Sequence, residues 1–419
     1  PMALALGHQT TQSMGFNRSD INTNALKVTQ RLSEGGFTAY LVGGCVRDLL
    51  LDRQPKDFDV ATNATPQQVH RLFRNSRIIG RRFQIVHVRF GREIIEVSTF
   101  RAQHDQNQSS EAGHILNDNV FGSFEDDAVR RDFTINALYY CPGKDQVLDP
   151  TGLGINDLQK KRLVLIGDPA TRFREDPVRM LRAIRFKAKL DFSISQKLER
   201  TIQSKAALMA EIPPARLFEE VLKLLMAGRA KKTYQALKHY QLIETLFPNV
   251  ADAGPNQTLI ELALESTDRR IENGQPVTPA FLFAALLWDP VAQRHNQLTE
   301  NDGLSRADGW VAAGDQIVAQ QQSTLSIPRR FSGSAKDIWC LQDRFEARQG
   351  KRPFRMLAHK RFRAAYDFLL LRRDSGEPLG ALCDWWTEFQ TADDVQKQTM
   401  IDSARPNRKR KPKRKPKAK

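Results

Sequence analysis

The chain has 419 residues, 40% of them hydrophobic and 27% charged, with a formal net charge of +16. That is enough apolar material for two or more packed units, and it excludes a wholly disordered chain. No run approaches the roughly 18 apolar residues of a membrane span, and residues 1–7 lack the basic start and the length of a secretory signal; a leading proline reads as a missing true start.

Ile21, Ala25, Val28 and Leu32 recur at helical spacing, and Gly35-Gly36 stops that helix. Residues 38–42 read as a strand running into Gly43-Gly44 and a short helix with Val46, Leu49 and Leu50. A second strand is expected at 58–61. Thr65-Pro66-Gln67-Gln68 is a capping box with proline at the first helical position. Two more strands, 84–90 and 93–99, flank Gly91-Arg92. Residues 103–118 are rich in Gln, Asn and Ser and read as a mobile loop. Beyond Asp157 nearly every pattern is helical, with candidates at 177–190, 214–226, 231–240, 279–287 and 362–371. The fold class is therefore α+β: a mixed α/β head (1–155), a helical neck (156–230), an all-α body and tail (231–403) and a basic end (404–419).

The end, RPNRKRKPKRKPKAK, holds ten Lys/Arg and no acid, and without it the net charge is +6. It has no apolar side chain to anchor a core, and its prolines favour an extended chain. Disorder and attraction to polyanions are expected, with Arg408, Lys409, Arg410 and Lys411 as phosphate contacts; a purely solubilising tail is the plainer alternative. Cys45, Cys141, Cys340 and Cys383 are far apart and form no CxxC. That fits a reducing cytoplasm and argues against a zinc site or a disulfide framework.

Chemistry concentrates in the head. Gly43-Gly44 sits between a strand and a helix, where a backbone free of side chains can turn sharply and approach phosphate. Nine residues after Asp48 comes Asp57-Phe58-Asp59. On a strand Asp57 and Asp59 share one face, ~6–7 Å apart, and Phe58 points away. Such a pair suits magnesium, which prefers a few carboxylates plus substrate phosphates. A third acid, Glu96, stands in the otherwise apolar Ile94-Ile95-Glu96-Val97, where a charge is costly unless paired or metal-bound.

The blocks LVGGCVRDLLL, KDFDVATNATPQQV and EVSTFR resemble the head of the DNA polymerase β nucleotidyltransferase superfamily. RRDFTINAL at 130–138 and the EDPVRMLRAIRF helix near 175–186 resemble its class II branch of bacterial poly(A) polymerases and CCA-adding tRNA nucleotidyltransferases. The resemblance implies two magnesium ions on Asp57 and Asp59, and a triphosphate cradled by Gly43, Gly44 and Arg47. It implies Arg131, Asp132 and Asn136 beside the nucleotide, and a base edge read by Asp176 and Arg179 with Arg182 on the same stripe. Asp132 is then a second candidate for the third acid, and the sequence does not choose between it and Glu96. Asp176 also reads as a cap for the helix beginning at Pro177, and Asp48 as a brace for the local turn. Cys45 stands where relatives usually carry glycine or alanine and is read as structural.

Within the branch, the block IIGRRFQIVHV at 78–88, the segment from Ile212 to Glu220 and the segment from Lys360 to Arg372 resemble the poly(A) polymerases. Arg81, Arg82, Arg361 and Arg363 are accordingly RNA-facing candidates, while Trp385-Trp386 reads as packing. There is no histidine-aspartate cluster of the phosphohydrolase kind. The expected activity is template-independent addition of AMP from ATP to RNA 3′ ends. The alternatives are CCA addition to tRNA and, from another class, a non-catalytic RNA-binding protein. Expected partners are ATP and RNA 3′ ends; a link to RNA-decay machinery follows only from the resemblance.

Overall fold

The computed structural model describes residues 9–12, 16–80, 84–102, 121–252, 254 and 256–404. The expected loop 103–118, Arg81, Arg82 and the basic run with Arg408, Lys409, Arg410 and Lys411 lie outside the described residues. The chain divides into two compact units, Pro1–Lys205 and Ala206–Lys419, a division that falls inside the span 156–230. Among the described residues no helix is long and apolar enough to cross a membrane.

In the first unit the short segments Arg162–Leu163 and Ser193–Ile194 pair as a two-stranded parallel sheet, and the other described strands form one eight-stranded sheet. They are β1 (Gln9–Gln12), β2 (Ala39–Val42), β3 (Asp59–Thr62), β4 (Ser76–Ile79), β5 (Ile85–Phe90), β6 (Glu93–Thr99), β7 (Tyr139–Cys141) and β8 (Gln146–Asp149). Their spatial order is β1-β8-β7-β2-β3-β6-β5-β4. Every neighbouring pair is antiparallel except β3 and β6, which run parallel at the centre.

Helix α1 (Thr23–Glu34) begins where the Asn22 side chain accepts from the backbone N–H groups of Asn24 and Ala25, at 2.8 and 3.1 Å. Its periodic residues Ala25, Val28 and Leu32 are fully buried, each larger one contributing roughly 1.5–3 kcal/mol. Helix α2 (Gly44–Leu50) follows the glycine pair, and α3 (Pro66–Leu72) carries the expected reciprocal Thr65–Gln68 capping box. Helix α4 (Phe124–Arg130) starts from a second box, Ser123–Asp126. After α5 (Gly154–Gln159) come α6 (Pro169–Glu175), α7 (Val178–Leu190) and α8 (Gln196–Lys205). Helix α7 buries Met180, Leu181, Ala183 and Ile184 completely and ends at Asp191 in the left-handed conformation. Val42, Ala61, Phe100, Ala128 and Tyr139 make a small core against α4.

The second unit is helical throughout its described length. The expected helices appear as Pro214–Leu225, Ala230–His239, Pro279–Leu286 and Phe362–Asp374. The helix Pro279–Leu286 is apolar on nearly every side, and the buried Trp339 donates from Nε1 to the Ala284 carbonyl. Trp386 is fully buried and donates to the Phe345 carbonyl, so its ring is core. Trp385 is half-buried and stacks on Phe389.

Candidate active site

The turn after β2 needs its first glycine. Gly43 sits at φ +78°, ψ −125°, a conformation that strains any residue with a side chain. A Cβ there would lie 3.4 Å from Arg131 Nη1 and 3.6 Å from the Asn136 carbonyl. Gly43 N donates to the Leu138 carbonyl at 3.0 Å, so the turn is pressed against the segment 131–138.

Strand β3 begins at Asp59, one residue later than expected, leaving Asp57 and Phe58 in the approach to it. The alternation still holds: Asp57 and Asp59 are exposed, whereas Phe58 and Val60 are buried. The parallel partner β6 places Glu96 in register with Asp59, and β5 places His87 in register with Glu96. His87 Nε2 stands 3.3 Å from Glu96 Oε1. The protein crowding Asp59, and then the charges of Glu96 and Asp57, push its carboxyl up to about 6, against the pull of Arg131. This raised value records burial first and the neighbouring carboxylates second, and a cation bound there would offset the second. Among the described residues no three side chains converge into a ready-made metal cage. The acidic face is open, as magnesium completed by phosphate oxygens and water requires.

Asp132 is placed differently. It is nearly buried and accepts from Arg182 Nε at 2.6 Å, from its own neighbour Phe133 N at 2.8 Å and from Asn136 Nδ2 at 3.1 Å. Although burial works the other way, Arg182 and Asn136 hold its carboxyl below the usual range. Asn136 in turn accepts from Arg47 Nη1 at 2.7 Å, and Arg47 donates through Nε and Nη2 to Asp48 at 2.8 and 2.6 Å. The result is one connected chain, Asp48–Arg47–Asn136–Asp132–Arg182, joining α2, the segment after α4 and α7. Arg47 is 3% exposed, with its ring-facing side over Phe186. It lies beside the glycine turn with three of its five N–H donors directed at Asp48 and Asn136.

Arg131 is the cation that faces the turn. Its Nε and Nη2 donate to Asp127 Oδ2 at 3.2 and 2.9 Å, and Tyr139 Oη donates to the same oxygen at 2.7 Å. Asp127 was not read from the sequence as a site residue. It is buried, and although burial opposes it, Arg131 and Arg130 hold it below the usual carboxylate range. The available signal was its spacing of four from Arg131 on a helix. Burial pushes the Cys45 thiol up to about 12, which suits a structural cysteine.

Helix α7 begins at Val178, one residue later than expected. The N-cap position is Pro177, not the expected Asp176, which ends α6 and still accepts from Val178 N through Oδ1 at 3.3 Å. Arg179 Nη1 donates to the Arg172 carbonyl and to Glu175 Oε2, both at 2.8 Å. Arg172, also unread in the sequence, is 5% exposed and donates to the carbonyls of Arg130 and Arg131 at 2.7 and 2.9 Å. It staples α6 to the backbone that carries Arg131. In the second unit Arg361 donates to Ser334 Oγ at 2.7 Å, and the exposed Arg363 pairs with Asp367 at 2.9 Å.

Known proteins match this architecture along most of the chain. Residues 39–164 match the family model described as "Poly A polymerase head domain". Residues 191–253 match "Probable RNA and SrmB- binding site of polymerase A", and 302–419 match "Polymerase A arginine-rich C-terminus". The chain is 46% identical to the Poly(A) polymerase I of Salmonella typhimurium, covering 97% of this chain and 92% of that one. It is 35% identical to the CCA-adding enzyme of Lactobacillus helveticus, over only 58% of this chain and 59% of that one. The crystal structure of the Bacillus stearothermophilus CCA-adding enzyme in complex with CTP superposes with a TM-score of 0.55 at 25% identity, covering 90% of this chain and 82% of that one.

Proposed function

We infer, for a chain that belongs to the poly(A) polymerase family, that Asp57, Asp59 and Glu96 are the acids that hold its divalent cations. The reaction is template-independent addition of AMP from ATP to RNA 3′ ends, a nucleotidyl transfer that releases pyrophosphate. The single observation that carries the metal assignment is the register of Asp59 with Glu96 beside the exposed Asp57. Magnesium held there, as two ions, would lower the cost of ionising the RNA 3′-hydroxyl and neutralise the triphosphate.

The remaining residues position the reactants. Gly43 and Gly44 let the backbone approach the triphosphate, and Arg131, steadied by Asp127, offers positive charge beside the turn. Asp176, Arg179 and Arg182 meet the base edge in place of a template. Asp132 and Asn136 hold Arg182 at its station, and Arg47 ties that station to the glycine turn. Arg81, Arg82, Arg361, Arg363 and the basic end make sequence-independent contact with RNA phosphate. Work in the cytoplasm and the marking of transcripts for decay follow from the family resemblance.

The test is nucleotide selectivity on an unstructured RNA offered one nucleoside triphosphate at a time. A long homopolymer from ATP alone is expected, and strict arrest after CCA on a trimmed tRNA overturns the reading. Asp57→Ala should abolish incorporation and leave RNA affinity nearly intact; surviving activity would remove Asp57 from the metal site.

A further inference from the structure

The second unit holds a cavity of about 590 Å³ between the helix Arg352–Leu357 and Gln398, lined by Lys351, Phe354, Arg355 and Ala358. Phe354 is 39% exposed, unusual for a phenylalanine, and its edge rests on Phe389 with ring centroids 5.6 Å apart. One side of the ring is therefore held while the rest remains open. Lys351 and Arg355 stand exposed on the rim, and among the described residues neither forms an ion pair. From Ala347 to Tyr366 the chain carries seven Lys/Arg and no acid.

We propose that this cavity is a stacking subsite for one base of single-stranded RNA, with Lys351 and Arg355 on the flanking phosphates. The proposal rests on RNA being the substrate, and it adds a second point of attachment on a different unit from the carboxylates. An open aromatic face between two unpaired cations is the chemistry that binds single strands without regard to sequence, because every base offers a π face. The cations argue against an apolar peptide as occupant. They also argue against the protein's own end, which carries ten further positive charges from Arg405 onward. Sequence tolerance is what an enzyme acting on many RNAs needs from a contact that is not made to the reacting nucleotide.

The test measures binding of a dye-labelled, 3′-blocked oligoadenylate by anisotropy across a salt series. Phe354→Leu keeps apolar bulk against Phe389 but removes the π face, and should weaken binding roughly tenfold with the salt slope unchanged. Phe354→Trp should bind as well as the wild type. Lys351→Ala with Arg355→Ala should reduce the slope of log affinity against log salt by about 1.4, the value for two single-strand phosphates. An oligomer lacking bases should bind the wild type more weakly and be indifferent to Phe354→Leu. Full affinity in Phe354→Leu overturns the proposal, and so does a cavity that serves a protein segment, which would leave all these RNA affinities untouched. Incorporation of ATP by the wild type on the unblocked oligomer checks the parent reading separately.

Discussion

Asp132→Asn and Glu96→Gln should fail in opposite ways, because Asp132 is held by Arg182, whereas Glu96 faces His87 and the like charge of Asp59. Asp132 is nearly buried and neutralises Arg182, whose side chain is 33% exposed. Breaking a fully buried pair costs about 3–5 kcal/mol. Solvent at Arg182 reduces that to about 2–3 kcal/mol. At about 2–4 °C per kcal/mol for a unit of this size, the Asp132→Asn midpoint should fall by about 4–12 °C. Arg182 then loses its anchor, and the Michaelis constant for ATP should rise more than turnover falls. Glu96→Gln removes a charge that disfavours ionised Asp59, so its midpoint should hold or rise. Its turnover should fall by at least about a hundredfold, equivalent to about 2.7 kcal/mol of transition-state stabilisation. The assays are thermal unfolding by circular dichroism and steady-state incorporation with ATP titrated at saturating RNA. An Asp132→Asn enzyme that melts like the wild type, keeps its Michaelis constant and loses turnover would refute the reasoning and make Asp132 the third acid.

Gly43→Ala forces a side chain onto a backbone at φ +78° beside Arg131; it should destabilise the first unit by about 1–3 kcal/mol and weaken ATP binding, both read from melting with and without nucleotide. Asp127 has a depressed value in the folded protein, so its contribution is complete above the unfolded carboxylate value near 4 and is lost as pH falls through the folded value. Asp127→Asn should therefore melt lower at neutral pH and show a shallower loss of stability below about pH 5, in an acid titration of the midpoint. Deleting residues 405–419 removes ten cations and should reduce the salt slope of RNA binding by up to about seven, while turnover at saturating RNA changes less; an unchanged slope would take the tail off the RNA.

The features legible in the sequence were those written locally. Gly43 announces its turn because no other residue fits that backbone conformation without strain. The alternation through Phe58 and Val60 put Asp57 and Asp59 on one face although the strand itself starts later. Body helices such as Pro214–Leu225 and Phe362–Asp374 were visible in apolar spacing, with boundaries off by one to three residues. What stayed hidden depends on pairing across distance. Strands β7 and β8 are short, and they are placed by pairing with β2 and β1, about a hundred residues or more away in the chain. The placing of Glu96 opposite Asp59 depends on the β3–β6 register, which no local pattern encodes. The partners of Arg47 were likewise hidden: its motif predicts contact with triphosphate, and the bonds it makes to Asp48 and Asn136 depend on folding that the motif does not encode.

The chain of bonds from Asp48 to Arg182 also bears on attempts to redesign nucleotide choice. Contacting residues in a shared network do not contribute independently, and their coupling runs to about 0.5–3 kcal/mol. Grafting a foreign α7 into this scaffold would import a guanidinium without the carboxylate and amide shaped to receive it. A specificity exchange should move those three segments together, as a single heritable cassette.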